Sequence, residues 1–184
     1  AIAGTDSRAD FVVLSGSLAP GVPADFYARI VTLGRELGVR VAVDVSGEPL
    51  RLAVEAGPEL VKPNLVELES LVGRQLPLEV DQEDAVREVL GMGPVGAVIA
   101  SLGAGGAVVG TRDGISRLRA PTVRVKSRVG AGDSMVGGMV HGLMQGDSVM
   151  EAARLGVACG SSTCMQPGTR LCDASDVAML RARI

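Results

Sequence analysis

Short apolar runs alternate with stripes of helical spacing along most of this chain. Asp10-Phe11-Val12-Val13-Leu14 stops at Ser15-Gly16-Ser17 and reads as a buried strand. Pro20-Gly21-Val22-Pro23 is a turn, with Pro23 suited to a helix start. Phe26, Ile30, Leu33 and Leu37 then recur at helical spacing, and Gly38 ends the helix. Val39 to Val45 is a second strand, and after Ser46-Gly47 a short helix runs to about Glu55. Glu59-Leu60-Val61 is a third strand that leads into Lys62-Pro63-Asn64. Leu65, Leu68, Leu71 and Val72 form the next helical face, closed by Gly73, and Asp81 caps a helix that runs to Leu90.

Gly96 to Ala100 is a fourth strand, followed by Ser101-Leu102-Gly103-Ala104-Gly105-Gly106. Ala107–Val109 and Ser116–Leu118 flank Arg112-Asp113-Gly114 and read as a hairpin, and Thr122 to Lys126 is one more extended piece. Three helices are predicted beyond it: from Gly132 to about Gln145, from Ser148 to about Cys164, and from Ser175 to Arg181. Strands alternating with helices predict an α/β fold with a largely parallel sheet and helices on both faces. No repeat, low-complexity run or linker interrupts residues 1–184, which predicts a single domain. In such sheets ligands bind beyond the carboxyl ends of the strands. Ser15-Gly16-Ser17, Asp44-Val45-Ser46-Gly47, Lys62-Pro63-Asn64 and Ser101-Leu102-Gly103 all follow strands, so four polar or glycine-rich stretches gather on one edge.

The chemistry centres on Val129-Gly130-Ala131-Gly132-Asp133-Ser134-Met135. Gly130 to Gly132 form a loop that opens a helix, and Asp133 sits in the first turn. Unpaired N–H groups and the positive end of the helix dipole attract a phosphate there, and glycine lets it approach the backbone. An acid at the same place can take a proton from an attacking hydroxyl. The same residues also fit a plain helix start, where Asp is favoured by electrostatics alone. Asn64-Leu65-Val66-Glu67 has capping-box spacing, and the same pair can organise Mg²⁺ and its waters beside a nucleotide. Ser101 to Gly106 is a phosphate-side loop or a tight hairpin turn. It fails the dinucleotide fingerprint because Val108 stands where the last glycine belongs, and no Walker A is present. Met135, Met139 and the Gly138-to-Gly142 spacing predict close helix packing.

Composition narrows the partners. Aromatics are only 2% of the chain and the net charge is −3, so there is no platform for stacking bases and no basic stripe for nucleic acid or anionic membrane. The three cysteines, Cys159, Cys164 and Cys172, form no CxxC pair, and their odd number argues against a disulfide framework. His141 is the single histidine and reads as packing or surface, not a ligand. No apolar run approaches a membrane span and no signal-peptide pattern opens the sequence, so a cytoplasmic protein with reduced thiols is expected.

In this order, the stretches resemble the PfkB group of ribokinase-like carbohydrate kinases. The likeness covers nearly the whole chain from Asp10 onward. It rests on Ser15-Gly16-Ser17-Leu18 with Gly21-Val22-Pro23, Asp44-Val45-Ser46-Gly47-Glu48, Lys62-Pro63-Asn64 with Glu67, Ser101-Leu102-Gly103, Val129 to Asp133, and Pro167-Gly168-Thr169-Arg170. The resemblance implies ATP-dependent phosphorylation of a phosphorylated ketohexose, foremost fructose 6-phosphate to fructose 1,6-bisphosphate. Fructose 1-phosphate and tagatose 6-phosphate are the acceptors of nearby members. It implies Asp133 as catalytic base and substrate contact, Gly130, Ala131 and Gly132 as the anion hole, and Ser17 as a sugar-phosphate contact. Lys62, Asn64, Ser101, Leu102, Gly103, Gly106 and Ser161 would line the ATP site, with Glu67 and Asn64 acting through Mg²⁺. Oxygens around Ser127, Val129, Thr163, Gly168 and Arg170 would hold a monovalent cation, usually K⁺. The resemblance also implies an N-terminal part with further strands, a lid and a sugar-binding motif, and a homodimer when that part is present. The expectation is therefore the ATP-side portion of a kinase, inactive by itself; the competing expectation is a catalytically inactive nucleotide-binding or interaction module.

Overall fold

The structure, a computed structural model, describes residues 9–184. Six strands form one sheet in chain order: β1 Phe11–Ser15, β2 Arg40–Asp44, β3 Leu60–Val61, β4 Ala97–Ser101, β5 Ala107–Thr111 and β6 Gly114–Leu118. The first four are parallel, and β5 and β6 close the sheet as an antiparallel hairpin. The helices are α1 Phe26–Leu37, α2 Glu48–Ala56, α3 Leu65–Val72, α4 Glu79–Gly91, α5 Ala131–Met144, α6 Val149–Met165 and α7 Ala174–Arg181. This is the α/β architecture that the alternation predicts, with helices on both faces.

Strand alternation divides the core in two. Val41, Val43, Val61, Val98, Ala100 and Val108 point to the face covered by α1 to α4. Ala42, Leu60, Ala97, Ile99, Ala107 and Val109 point to the face covered by α5 and α6. Valines dominate the first face, whereas the second alternates alanines with Leu60, Ile99 and Val109.

Glycines bring α5 and α6 together. A Cβ on Gly138 would lie 2.8 Å from Cys159 Sγ, and one on Gly142 would lie 3.1 Å from Ala152 Cα. A Cβ on Gly156 would lie 2.8 Å from the Met135 carbonyl oxygen, and one on Gly160 would lie 3.0 Å from that of Ala131. Met135 and Met139 are buried in the same seam. The expected close packing is therefore present.

Four local expectations need correction. The β1 run is not a buried strand: it lies at the sheet edge, with Leu14 buried and Val13 45% exposed. The Phe26/Leu33/Leu37 stripe of α1 also faces outward, and Tyr27, Val31 and Gly34 are buried in its place. The stripe is one of two apolar faces on this helix, and the sheet takes the smaller one because a Cβ on Gly34 would overlap Val41. Asp81 is not the cap of α4. Leu78 caps it, and Asp81 accepts the Leu78 N–H at 3.0 Å from the third position. Thr122 to Lys126 joins no strand; the Lys126 N–H bonds the Cys164 carbonyl at 2.8 Å. His141 is exposed in the last turn of α5. No helix among the described residues is long and apolar enough to cross a membrane.

The glycine seam makes a paired prediction. Gly156→Ala should destabilise the chain by roughly 1–3 kcal/mol through overpacking against backbone. Gly137→Ala, with nothing within 4 Å of the new Cβ, should stabilise it by about 0.5–1 kcal/mol as a helix substitution. Urea denaturation of both variants checks the signs; equal effects would mean the seam is loosely packed.

Candidate active site

The carboxyl ends of β1 to β4 meet on one edge, as the sequence predicts, and the start of α5 faces that edge. Gly130 caps α5 in the left-handed region at φ 77°, where a side chain is strained. The Ser134 N–H returns to the Gly130 carbonyl at 2.9 Å, and the Ala131 N–H to that of Arg128 at 3.3 Å. Asp133 lies exposed in the first turn.

Lys62 follows β3 and is 5% exposed, yet it is charged. Its ammonium pairs with the Asp44 carboxylate at the end of β2, Nζ to Oδ1 at 3.0 Å. A Cβ placed on Gly132 would lie 3.6 Å from Lys62 Nζ and 4.0 Å from Asp44 Oδ2. A buried cation therefore stands beside the glycine loop, and glycine keeps the space between them open. Asp44 sits in a run singled out from sequence, but its pairing with Lys62 was not foreseen, because nothing in either segment signals the other.

Asn64 and Glu67 form a complete capping box on α3. The Glu67 N–H donates to Asn64 Oδ1 at 2.9 Å, and the Asn64 N–H to Glu67 Oε2 at 2.8 Å. The second Glu67 oxygen has no hydrogen bond among the described residues and the side chain is half-buried, so the cap leaves one carboxylate oxygen for a hydrated ion. No cluster of three or more His, Cys, Asp or Glu able to hold a metal occurs among the described residues. Asn64 also bridges to Ser101, whose N–H donates to the Pro63 carbonyl at 2.8 Å, so the β3 and β4 ends are tied together.

Ser101 to Gly106 holds a 3₁₀ turn over Gly103–Gly105, and the Leu102 N–H bonds the Gly106 carbonyl at 2.8 Å. Gly106 has φ 91°, and a Cβ there would lie 2.7 Å from the Ala120 nitrogen. A cavity of about 590 Å³ opens between this turn, the start of α5 and the middle of α6. Ser101, Leu102, Gly103, Gly106, Ala131, Gly132 and Ser161 line it. Lys62, Asn64, Glu67, Gly130, Asp133 and Ser17 lie outside its wall; Ser17 is exposed beside Gly16, whose N–H bonds the Asp44 carbonyl at 3.2 Å. Arg128, Met135 and Val157 line it too, with Ala120 to Val123 and Val125 of the preceding segment. A larger cavity of about 930 Å³ lies at the opposite edge of the sheet and holds none of the predicted site residues.

Two crossings bring the segment before α5 close to the end of α6 and the loop beyond it. The Lys126 and Ser127 N–H groups both reach the Cys164 carbonyl, and Leu171 reaches back to Gly130, 3.1 Å from a Cβ placed there. Thr163 is buried and donates its hydroxyl to Ser134 Oγ at 2.7 Å. Ser127 Oγ accepts the Val129 N–H at 3.2 Å, while Gly168 and Arg170 stand exposed on the loop after α6. Burial pushes the Cys159 thiol up to about 12, with the neighbouring Cys172 adding to the effect.

Four parallel strands closed by an antiparallel hairpin, with helices on both faces and the start of α5 facing the strand ends, make this an α/β kinase-like fold segment. Residues 7–176 match the pfkB family carbohydrate kinases, and the chain belongs to that family. It is 40% identical over 172 residues to the ATP-dependent 6-phosphofructokinase isozyme 2 of Escherichia coli K12, covering 93% of this chain and 56% of that protein. It is 42% identical over 149 residues to the 1-phosphofructokinase of Rhodobacter capsulatus, covering 81% and 47% respectively. Among solved structures it resembles E. coli phosphofructokinase-2 in complex with potassium, with a TM-score of 0.89 at 40% identity over 94% of this chain and 56% of that one. An Arabidopsis thaliana ribokinase shares the fold, with a TM-score of 0.79 at 22% identity over 94% of this chain and 55% of that one. The chain spans about half the length of the curated relatives it matches.

Two outcomes check this geometry. Asp44→Asn leaves the Lys62 charge buried without a partner and should cost roughly 3–5 kcal/mol, read as a lower Tm; an unchanged Tm would mean that water already solvates the pair. With a thiol reagent, Cys172 should react first and Cys159 last. Raising the pH through the ordinary thiol range should leave Cys159 slow, because burial pushes its thiol up to about 12. Peptide mapping of the labelled sites reads the order.

Proposed function

We propose that this chain is the nucleotide side of an ATP-dependent kinase that phosphorylates a sugar phosphate, with fructose 6-phosphate as acceptor. The observation that carries the reading is the approach of Gly132, which lines the cavity together with Ser101, Leu102, Gly103 and Gly106, to the buried Lys62 ammonium, 3.6 Å from a Cβ placed on that glycine. The choice of acceptor is supported by relatives named 6-phosphofructokinase that align with 93–95% of this chain. Fructose 1-phosphate is the second acceptor to assay, on the strength of the R. capsulatus relative. Residues 1–184 act as one domain of the fold, completed in the working enzyme by the rest of a kinase.

Transfer needs an anion cradle, a base and a held acceptor. The N–H groups at the start of α5 accept the charge that builds on the phosphoryl oxygens, and the Lys62 ammonium adds to them from beneath. The acceptor hydroxyl oxygen bonds to the γ-phosphorus, its proton passes to the Asp133 carboxylate, and the bond to the leaving ADP oxygen breaks. Glu67, with Asn64 fixing its carboxylate, would hold Mg²⁺ through water, and that ion supplies charge neutralisation across the phosphates. Oxygens of Ser127, Val129, Thr163, Gly168 and Arg170 would hold K⁺ behind the loop. Ser17 holds the acceptor. Alone, the chain should turn over slowly, because little else positions the acceptor.

The test is a graft of residues 9–184 into the E. coli relative in place of its matching segment. The grafted enzyme should phosphorylate fructose 6-phosphate, and Asp133→Asn should cost roughly 10²–10⁴-fold in kcat while leaving the Tm unchanged. Near-full kcat in a folded Asp133→Asn graft would contradict the base assignment. Glu67→Gln should raise the Mg²⁺ requirement with little change in Tm, since glutamine still completes the box. A lower Tm with unchanged Mg²⁺ dependence would leave the pair as a cap alone.

A further inference from the structure

We propose that Arg128 is a phosphate-binding residue of the nucleotide cavity, the side chain by which this chain favours a triphosphate over a nucleoside. The proposal rests on the nucleotide reading above.

Of the residues that line the 590 Å³ cavity, Arg128 alone carries a charge. The rest of the wall is apolar, glycine, hydroxyl or thiol, which suits a base and ribose but not a polyphosphate. The cation nearest the glycine loop, Lys62, already has its charge matched by Asp44 at 3.0 Å. Glu67 and Asp133 add two more carboxylates to the same edge. Without Arg128 the cavity wall itself would carry no charge to meet a polyphosphate.

Arg128 is placed to correct this. Its carbonyl accepts the Ala131 N–H at 3.3 Å, so the turn that opens α5 is the turn from which its side chain leaves. It is exposed and makes no ion pair or side-chain hydrogen bond among the described residues; Arg124 and Lys126 of the same segment are likewise without one, but of the three only Arg128 lines the cavity. Ala131 and Gly132 line the cavity alongside it, so its guanidinium and the α5 amides address one ligand. A guanidinium offers two parallel donors to phosphate oxygens, a geometry that lysine cannot match. The terminal phosphates, next to the α5 amides, are the groups within its reach.

The experiment is a calorimetric titration of residues 1–184 with ATP, ADP and adenosine in Mg²⁺ buffer, using the parent chain, Arg128→Ala and Arg128→Lys. Arg128→Ala should weaken ATP about tenfold, the size of one charge-assisted hydrogen bond, and leave adenosine unchanged. Arg128→Lys should recover part of the loss. Unchanged ATP affinity in Arg128→Ala would overturn the proposal, and so would an equal loss for ATP and adenosine, which would mark a structural role. A parent chain that binds neither ATP nor adenosine would overturn the nucleotide reading itself, and Arg128 with it.

Discussion

The site depends on how closely α5 can approach α6 and the sheet. Four glycines, Gly138 and Gly142 on α5 and Gly156 and Gly160 on α6, leave no room for a methyl group where the helices cross. Ala42, Ala97 and Ala107 face this layer beside Leu60, Ile99 and Val109. The start of α5 lies within reach of Lys62, whose Nζ is 3.6 Å from a Cβ placed on Gly132. A larger residue at the seam would lift α5, and the glycine loop would lose the ammonium beneath it. Fold stability and phosphate chemistry are thus set by the same backbone contacts.

The charge arrangement at that edge follows a second constraint. A buried ammonium is tolerable only with a partner, and Asp44 supplies it from the neighbouring strand. Asp44 ends β2 and Lys62 directly follows β3, with its N–H bonded to the Val43 carbonyl at 3.0 Å, so the sheet anchors the pair. Asp133, by contrast, is exposed on the first turn of a helix, open to an acceptor. One charge is stored in the scaffold and the other is presented to solvent. This division suits an enzyme in which the cradle stays still and the acceptor arrives.

Much of this was legible in the sequence, for identifiable reasons. Apolar runs ending in polar or glycine residues located the strands and their functional ends, because a parallel sheet buries both faces of each strand. The Asn64–Glu67 box and the start of α5 are local devices, readable from spacing over a few residues. What escaped is long-range or comparative. The outward stripe of α1 and the burial of Tyr27, Val31 and Gly34 depend on which face meets the sheet, and periodicity alone offers both. The Lys62–Asp44 pair joins residues on different strands. The weight of Arg128 emerges only when every other wall residue is known to be neutral.

The central claim is that the edge around the start of α5, not the larger cavity at the opposite edge, receives a nucleotide. Backbone amide shifts of isotopically labelled residues 1–184, followed during addition of ATP with Mg²⁺, test it most directly. The account predicts that the largest changes fall on Gly103 to Gly106, Gly130 to Gly132 and Ser161. Changes centred on Arg35, Arg40 and Arg112, which line the opposite cavity, would contradict it.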